Sequence, residues 1–354
     1  MITHGGNIYS FIEKEGLDQR SVIDFSASIN PLGTSTNVIR EIKKNLRNLI
    51  HYPDIHITRL TNKIAETLGV SEKSIVCGNG STELIYLVPG IMGFRKVLIP
   101  QPTFSDYERA CMIANPACAV IDYVLEHKNN FDITLENLMD KILDAKPDAV
   151  FLCNPNNPTG RLIKKTSLME ISEQAKKHKI YLIADESFID FCPGESVADK
   201  VEGNPYLIVL KSMTKFYALA GLRLGYGIFP VHIAVMLKEH KEPWSVNTLA
   251  QTAGIAALDD NAYKERTMKI VNKQKRVLEK GLHSLGIDYV PSHANYYLLQ
   301  TPGALNIAEQ LARKGIMVRN CSNFKGLDHR YLRIAVKSQK ENQILLKYME
   351  ECIE

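Results

Sequence analysis

Four short runs constrain this chain more than anything else in it: Val97-Leu98-Ile99-Pro100, Ala149-Val150-Phe151-Leu152-Cys153, Ile180-Tyr181-Leu182-Ile183-Ala184 and Tyr206-Leu207-Ile208-Val209-Leu210. Each is rich in β-branched or aromatic residues and apolar on both faces of an extended strand. A strand of that kind is buried on both sides, the condition inside a mostly parallel sheet covered by helices. Between the runs lie stretches with helical spacing: Thr82 to Met92, Leu135 to Ala145 and Ser167 to Lys177. Strand then helix, repeated, predicts an α/β domain.

After Pro230 the pattern changes. Val231 to Glu239, Val246 to Leu258 and about Asn261 to Leu285 have helical spacing. A strand (Tyr296 to Gln300), a helix (Ile307 to Lys314), two short strands (Ile316 to Arg319 and Tyr331 to Val336) and a helix from about Lys340 complete an α+β unit. A chain of 354 residues exceeds one ordinary core. The expected division is an N-terminal arm, 1–49, a large domain, 50–230, and a small C-terminal domain, 231–354. The arm holds one helix, Asn37 to Leu49, and is expected to pack with the small domain.

Composition excludes several classes of protein. Apolar residues make up 45% and charged residues 23%, the balance of a globular protein. A net charge of +4 with no block of like charges points to neither nucleic acid nor a membrane surface. No run approaches the roughly 18 apolar residues of a membrane helix, and the first residues lack the apolar core of a signal peptide. Seven scattered cysteines without a C-x-x-C pair read as reduced thiols in a cytoplasmic protein. No metal site is expected.

Four segments carry the chemistry, each where a strand ends, which is where open α/β sheets bind ligands. Cys77-Gly78-Asn79-Gly80-Ser81-Thr82-Glu83 follows a strand, Ser74 to Cys77, and opens a helix. Its glycines allow close backbone approach, and the free amides of a helix start favour a phosphate. A plain helix start with Ser81 as N-cap explains it equally well. Cys153-Asn154-Pro155-Asn156-Asn157-Pro158-Thr159-Gly160 is a stiff turn after a strand. Asp185-Glu186 ends a very apolar strand, and a carboxylate there needs a cation. A protonated pyridine nitrogen or a buried Arg or Lys would serve. Ser212-Met213-Thr214-Lys215 leads to Gly221-Leu222-Arg223-Leu224-Gly225-Tyr226-Gly227. Burial and nearby Arg223 should keep the Lys215 amine partly neutral, the form that attacks an aldehyde. Any one segment has a bland explanation; their order along the chain does not.

With these motifs the sequence resembles the fold type I, class I/II aminotransferase-like enzymes that depend on pyridoxal 5'-phosphate (PLP). Within that group it is similar to the histidinol-phosphate aminotransferase branch and, more closely, to the threonine-phosphate decarboxylases of cobalamin biosynthesis. The similarity rests on His4-Gly5-Gly6-Asn7, Asp24 through Gly33, Tyr52-Pro53-Asp54, Asp185 through Phe191, Pro243 through Asn247, and the segment from Arg319 through Asp328.

The resemblance implies a role for each matching residue. Lys215 would hold the cofactor as a Schiff base, Asp185 would keep its ring nitrogen protonated, and Asn157 would donate to its ring oxygen. Gly80, Ser81, Thr82, Ser212 and Arg223 would hold its phosphate, and Phe104 would stack on its ring. Tyr52 would reach the phosphate of a partner subunit's cofactor, which implies a homodimer with shared sites. Arg333 would grip a substrate carboxylate, and His4, Asn7, Asn30, Asn157 and Arg319 would contact the rest of a small phosphorylated amino acid. Many aminotransferases carry Tyr where this chain has Phe188, and that departure tilts the expectation toward decarboxylation. The implied reaction is loss of CO2 from L-threonine O-3-phosphate, giving (R)-1-amino-2-propanol O-2-phosphate. Transamination of histidinol phosphate or a related amine is the alternative, and serine phosphate is an alternative substrate. A dinucleotide-binding fold is disfavoured because no G-x-G-x-x-G follows a strand.

Overall fold

The computed structural model describes residues 4–353. Its centre is a seven-stranded sheet. Across the sheet the strands are Ile75–Asn79, Leu224–Ile228, Leu207–Ser212, Tyr181–Asp185, Ala149–Cys153, Lys96–Gln101 and Ala119–Val124. Leu224–Ile228 runs antiparallel to both of its neighbours, and every other pairing is parallel. The four apolar runs therefore form four adjacent strands in the heart of the sheet.

Alternation explains why these strands are apolar at every position. Ala149, Phe151 and Cys153 belong to the apolar cluster on one face, and Val150 and Leu152 to the cluster on the other. Ile208 and Leu210 likewise oppose Leu207 and Val209. The helices Leu135–Ala145 and Lys165–Lys177 cover one face, and Gly80–Met92 covers the other.

A second sheet has four antiparallel strands in the order Arg319–Asn320, Tyr331–Ala335, Tyr296–Gln300 and Asp288–Tyr289. Asn261–Ser284, Ala304–Arg313 and Gln339–Ile353 pack around it through Leu278, Leu311 and Leu345. Ile23–Asp24 pairs with Ile316–Met317. One residue on, the Phe25 carbonyl accepts from Ala335 N at 2.9 Å. Residues 23–25 are thus tied to the second sheet.

The expected boundary near Pro230 does not coincide with a break in packing. Ile233, Ala234 and Leu237 of the helix Val231–His240 are buried with one face of the large sheet. Ala250, Ala253 and Ala257 of Thr248–Asp259 are buried with the other. Both helices belong to the large sheet's layers because their small apolar faces match its surface. The arm's helix is Thr36–Asn45, continued by 3-10 turns to Ile50, and it packs on Thr248–Asp259 rather than on the second sheet. Ser35 caps it and also donates to Asp260. The arm has an additional helix, Ile8–Glu15, with no buried residue. Ile316 to Arg319 divides into the two-residue pieces Ile316–Met317 and Arg319–Asn320, on different sheets.

Beneath the large sheet's carboxyl edge lies a buried ion pair. Lys211 Nζ is 3.2 Å from Asp190 Oδ1 and 3.7 Å from Glu186 Oε2. The Glu186 carboxylate also accepts from Val197 N at 2.8 Å and from Ser196 Oγ at 2.5 Å. Removing only the cation strands a buried charge, so Lys211→Met should destabilise the fold by about 3–5 kcal/mol. Urea unfolding measures this, and adding Glu186→Gln should recover part of the loss.

Candidate active site

The parallel strands deliver their carboxyl ends to one edge of the large sheet, and the second sheet faces that edge. Between them is a cavity of about 390 Å³. Its lining includes His4, Ser81, Thr82, Phe104, Asn157, Asp185, Ser212, Lys215, Arg223, Arg319 and Arg333. Eleven residues that the sequence nominates from eight separate segments therefore meet in one place.

Lys215 stands three residues past the end of Leu207–Ser212, in the connection that returns as Leu224–Ile228. Ser212 Oγ and Thr214 Oγ1 are hydrogen-bonded at 2.7 Å, which tightens the turn. Asn30 N donates to the Lys215 carbonyl at 3.1 Å. Burial, then the cations Arg333 and Arg223, lower the Lys215 amine from 10.5 to about 8. Roughly a tenth of such amines are neutral at pH 7, against well under a thousandth for an ordinary lysine. The sequence points to burial and Arg223; Arg333, from the other sheet, is the stronger cation.

Asp185 ends the strand Tyr181–Asp185 and is 4% exposed. Its Oδ1 accepts from Ser187 N at 2.9 Å and its Oδ2 from Tyr107 Oη at 2.7 Å. Burial pushes this carboxyl up, and the bonds from Ser187 and Tyr107 oppose that. It forms no ion pair with any described residue, unlike Glu186 beside it, so the buried salt bridge that was the alternative for this position is not what the fold builds.

The glycine-rich turn draws a helix start close to Arg223. The helix Gly80–Met92 begins at Gly80, and its N-cap, Asn79, makes no side-chain capping bond. Ser81 is thus inside the first turn and is not the N-cap; its hydroxyl lies 3.4 Å from Ser187 Oγ. Gly80 has φ 75°, and a Cβ there would approach Arg223 Nη2 to 2.6 Å. A Cβ on Gly225 would strike Ser81 N. Only glycine lets the helix start, Leu224–Ile228 and the Arg223 guanidinium draw this close. The Arg223 guanidinium has one long bond, to Ala220 O at 3.4 Å, and faces no carboxylate among the described residues.

Across the cavity Arg319 and Arg333 are direct partners in the antiparallel register. Like charges placed opposite each other repel, so the pair calls for an anion between or beside them. Arg333 Nη2 donates to Ser26 O at 2.7 Å, Nη1 donates to Asn157 Oδ1, and Nε is buried without a hydrogen bond. Because Asn157 spends its oxygen on Arg333, its amide hydrogens remain for a ligand. Arg319 donates to Asn320 O and, at 2.8 Å, to Asn323 Oδ1, and lies 5.2 Å from the Phe324 ring. His4 Nε2 lies 3.5 Å from Asp106 Oδ1, and the His4 ring is 5.6 Å from that of Phe104.

Three nominated residues stand elsewhere. Asn30 is not a substrate contact: it is buried, its amide donates to Phe216 O and Thr267 Oγ1, both at 2.7 Å, and its oxygen accepts from Leu32 N. Both of its amide hydrogens are used in holding the turn below Lys215, and its oxygen is turned to the backbone of Leu32. Asn7 is exposed and caps the helix Ile8–Glu15 by accepting from Ser10 N, so it too is outside the cavity. Tyr52 is 81% exposed and leans on Trp244, with ring centroids 4.9 Å apart; within one chain it does not reach the cavity. Conversely, Tyr107, Ser187, Thr214, Asn323 and Phe324 line the site without having been nominated. Tyr107 had a signal: it lies three residues after Phe104 at a helix start, a spacing that puts both rings on one side.

A family model described as aminotransferase class I and II matches residues 20–349. The chain belongs to that family. It is 37% identical over 350 residues to a threonine-phosphate decarboxylase of Salmonella typhimurium, covering 97% of this chain and 94% of the relative. It is 32% identical to a histidinol-phosphate aminotransferase of Caldanaerobacter subterraneus, covering 88% and 89%. The crystal structure of a histidinol-phosphate aminotransferase from Clostridium acetobutylicum superposes with a TM-score of 0.86 at 32% identity, covering 94% of this chain and 99% of that one. The fold is accordingly fold type I, and the cofactor of the family is PLP.

The residues present fit that cofactor. Asp185 is a buried carboxylate that forms no ion pair among the described residues, the Gly80–Arg223 cradle would be filled by any added Cβ, and Lys215 is a partly neutral amine in the same cavity. The Lys215 amine in the cofactor-free protein should therefore titrate near pH 8 when followed by acylation rate against pH. Arg333→Met removes a cation that disfavours the ammonium, so the midpoint should rise.

Proposed function

We propose that the enzyme removes CO2 from L-threonine O-3-phosphate, giving 1-amino-2-propanol O-phosphate, as a step of cobalamin biosynthesis. The observation that carries this reading is the double cationic lining of one cavity. Arg223 with the helix start at Gly80 forms one anion site, and Arg319 and Arg333 with His4 form another. A cofactor phosphate needs the first. A substrate with both a carboxylate and a phosphate suits the second, where planar guanidiniums can each take an anion in two bonds. The 37% identical decarboxylase supports the choice of substrate.

When bound, PLP supplies an aldehyde for the substrate amine and a ring that takes up the electron pair freed at the α-carbon. The protein's residues do the rest. Asp185 would hold the cofactor's protonated ring nitrogen, because a buried carboxylate gains most from a cation. Asn157, oriented by Arg333, donates its amide hydrogens. Phe104 and Phe188 exclude water. Arg333 sets the substrate's torsion so that the carboxylate, rather than the α-hydrogen, stands where bond breaking is favoured, while Arg319 holds the substrate's phosphate. Lys215 Nζ then delivers a proton to the α-carbon, replacing the lost CO2.

Incubation with threonine phosphate should release CO2 without 2-oxoglutarate, and Lys215→Ala should lose both turnover and the near-visible absorbance of the loaded enzyme. Activity that requires 2-oxoglutarate and histidinol phosphate would favour transamination instead, a second reading supported by the 32% identical aminotransferase.

We also infer a homodimer in which Tyr52 reaches the cofactor phosphate of a second copy. Tyr52 lies near exposed Leu49, Ile50 and Ile55, an apolar surface that a partner would cover. Sedimentation should give twice the chain mass, and Ile50→Lys should weaken the association.

A further inference from the structure

The segment 321–328 joins the strands Arg319–Asn320 and Tyr331–Ala335 of the second sheet and crosses to the large sheet. It carries Asn323 and Phe324 into the cavity, and both touch Arg319. At its outer end Lys325 Nζ lies 2.8 Å from Glu108 Oε2 and 2.8 Å from Asp122 Oδ2. Glu108 is in the helix Asp106–Ala114, and Asp122 is in the edge strand Ala119–Val124. The next residue, Gly326, has φ 81°, and a Cβ there would sit 3.3 Å from Val124 Cγ1. The segment is therefore pressed against the end of the edge strand at the point where Lys325 reaches it.

The contact continues inward. Asp122 uses its second oxygen to accept from Nε2 of Gln101, which is 4% exposed. Gln101 Oε1 in turn accepts from Thr103 N, and Thr103 Oγ1 donates to Asn156 Oδ1 at 2.7 Å. Thr103 precedes Phe104, and Asn156 precedes Asn157. One connected set of polar bonds thus runs from Lys325 on the second sheet to two loops of the large sheet that carry cavity residues.

We propose that Lys325 is a positioning residue: by bridging Glu108 and Asp122 it clamps the 321–328 segment over the cavity and so fixes Arg319, Asn323 and Phe324 for substrate binding. An exposed ion pair alone contributes little. This one has two carboxylates on one ammonium, and Asp122 is held by a buried amide, so little is lost in ordering it. The apolar cluster of Leu125, Phe131, Cys321, Phe324 and Tyr331 keeps the segment near the large sheet, and Lys325 sets its register there. The substrate side of this proposal rests on the decarboxylase reading, whereas the clamp itself does not.

The test compares the holoenzyme with Lys325→Met and Lys325→Arg. Hydrogen exchange of the amides of 321–328 reads the clamp without any substrate. Steady-state turnover of threonine phosphate reads its effect on the site. Lys325→Met should speed exchange across 321–328 and raise KM about fivefold with kcat within twofold and cofactor affinity unchanged. Lys325→Arg should restore both. Unchanged exchange in Lys325→Met overturns the proposal, and so does a fall in kcat or cofactor affinity that accompanies the KM change. Faster exchange with an unmoved KM overturns the positioning role. If the unaltered enzyme does not turn over threonine phosphate, the decarboxylase reading fails while exchange still decides the clamp.

Discussion

Two buried groups of opposite kind define this molecule: a lysine amine that burial and two guanidiniums hold at about 8, and a carboxylate that forms no ion pair among the described residues. Neither arrangement favours the folded chain by itself. Burying an unpaired carboxylate is costly, and crowding cations around an ammonium is costly too. The large sheet tolerates both because its four central strands are apolar on each face and supply the burial. The hydrogen bonds from Tyr107 and Ser187 offset part of the cost at Asp185. A ligand that brings a ring cation to Asp185 and an anion to Arg223 answers both costs together.

Adjacent residues show how local the control is. Asp185 and Glu186 are consecutive carboxylates at the end of one strand, and both are buried. Strand alternation sends them to opposite sides. Glu186 meets Lys211 and the Ser196-Val197 turn that closes around it, so it is structural. Asp185 meets the cavity and two neutral donors. The difference between a buried ion pair and a ligand-binding carboxylate here is one step along the backbone.

The site is also a joint property of two sheets. Lys215, Asp185, Asn157 and the Gly80 turn come from the carboxyl edge of the large sheet; Arg319 and Arg333 come from the second. Arg333 acts in both settings. It is the strongest cation on Lys215, and it takes the Asn157 oxygen, which decides which end of that amide faces a ligand. Small shifts between the sheets would alter proton affinity and hydrogen bonding together, which gives contacts that tie the sheets, such as the one at Lys325, their importance.

The central strands and the helices between them were legible because burial on two faces writes itself into composition at every position. The turns at Gly80, Asn157, Asp185 and Lys215 were legible because each follows such a strand. The exposed helix Ile8–Glu15 left little trace, since it buries nothing. Helices Val231–His240 and Thr248–Asp259 were visible as helices, but their allegiance was not, because an apolar face does not say which sheet it will meet. Asn30 and Asn7 stood in matching motifs, yet their side chains are consumed by Phe216, Thr267 and a helix start. What the sequence alone determined was the sheet and its functional edge, consequences of periodicity and of residues close along the chain, while the cofactor followed from the family resemblance that those motifs carry. What only the tertiary structure decided was the partnership of Arg333 with Lys215 and Asn157, the neutral donors that Asp185 meets and the exile of Tyr52 from its own cavity, because charge–charge distance and solvent exclusion arise between segments far apart in sequence.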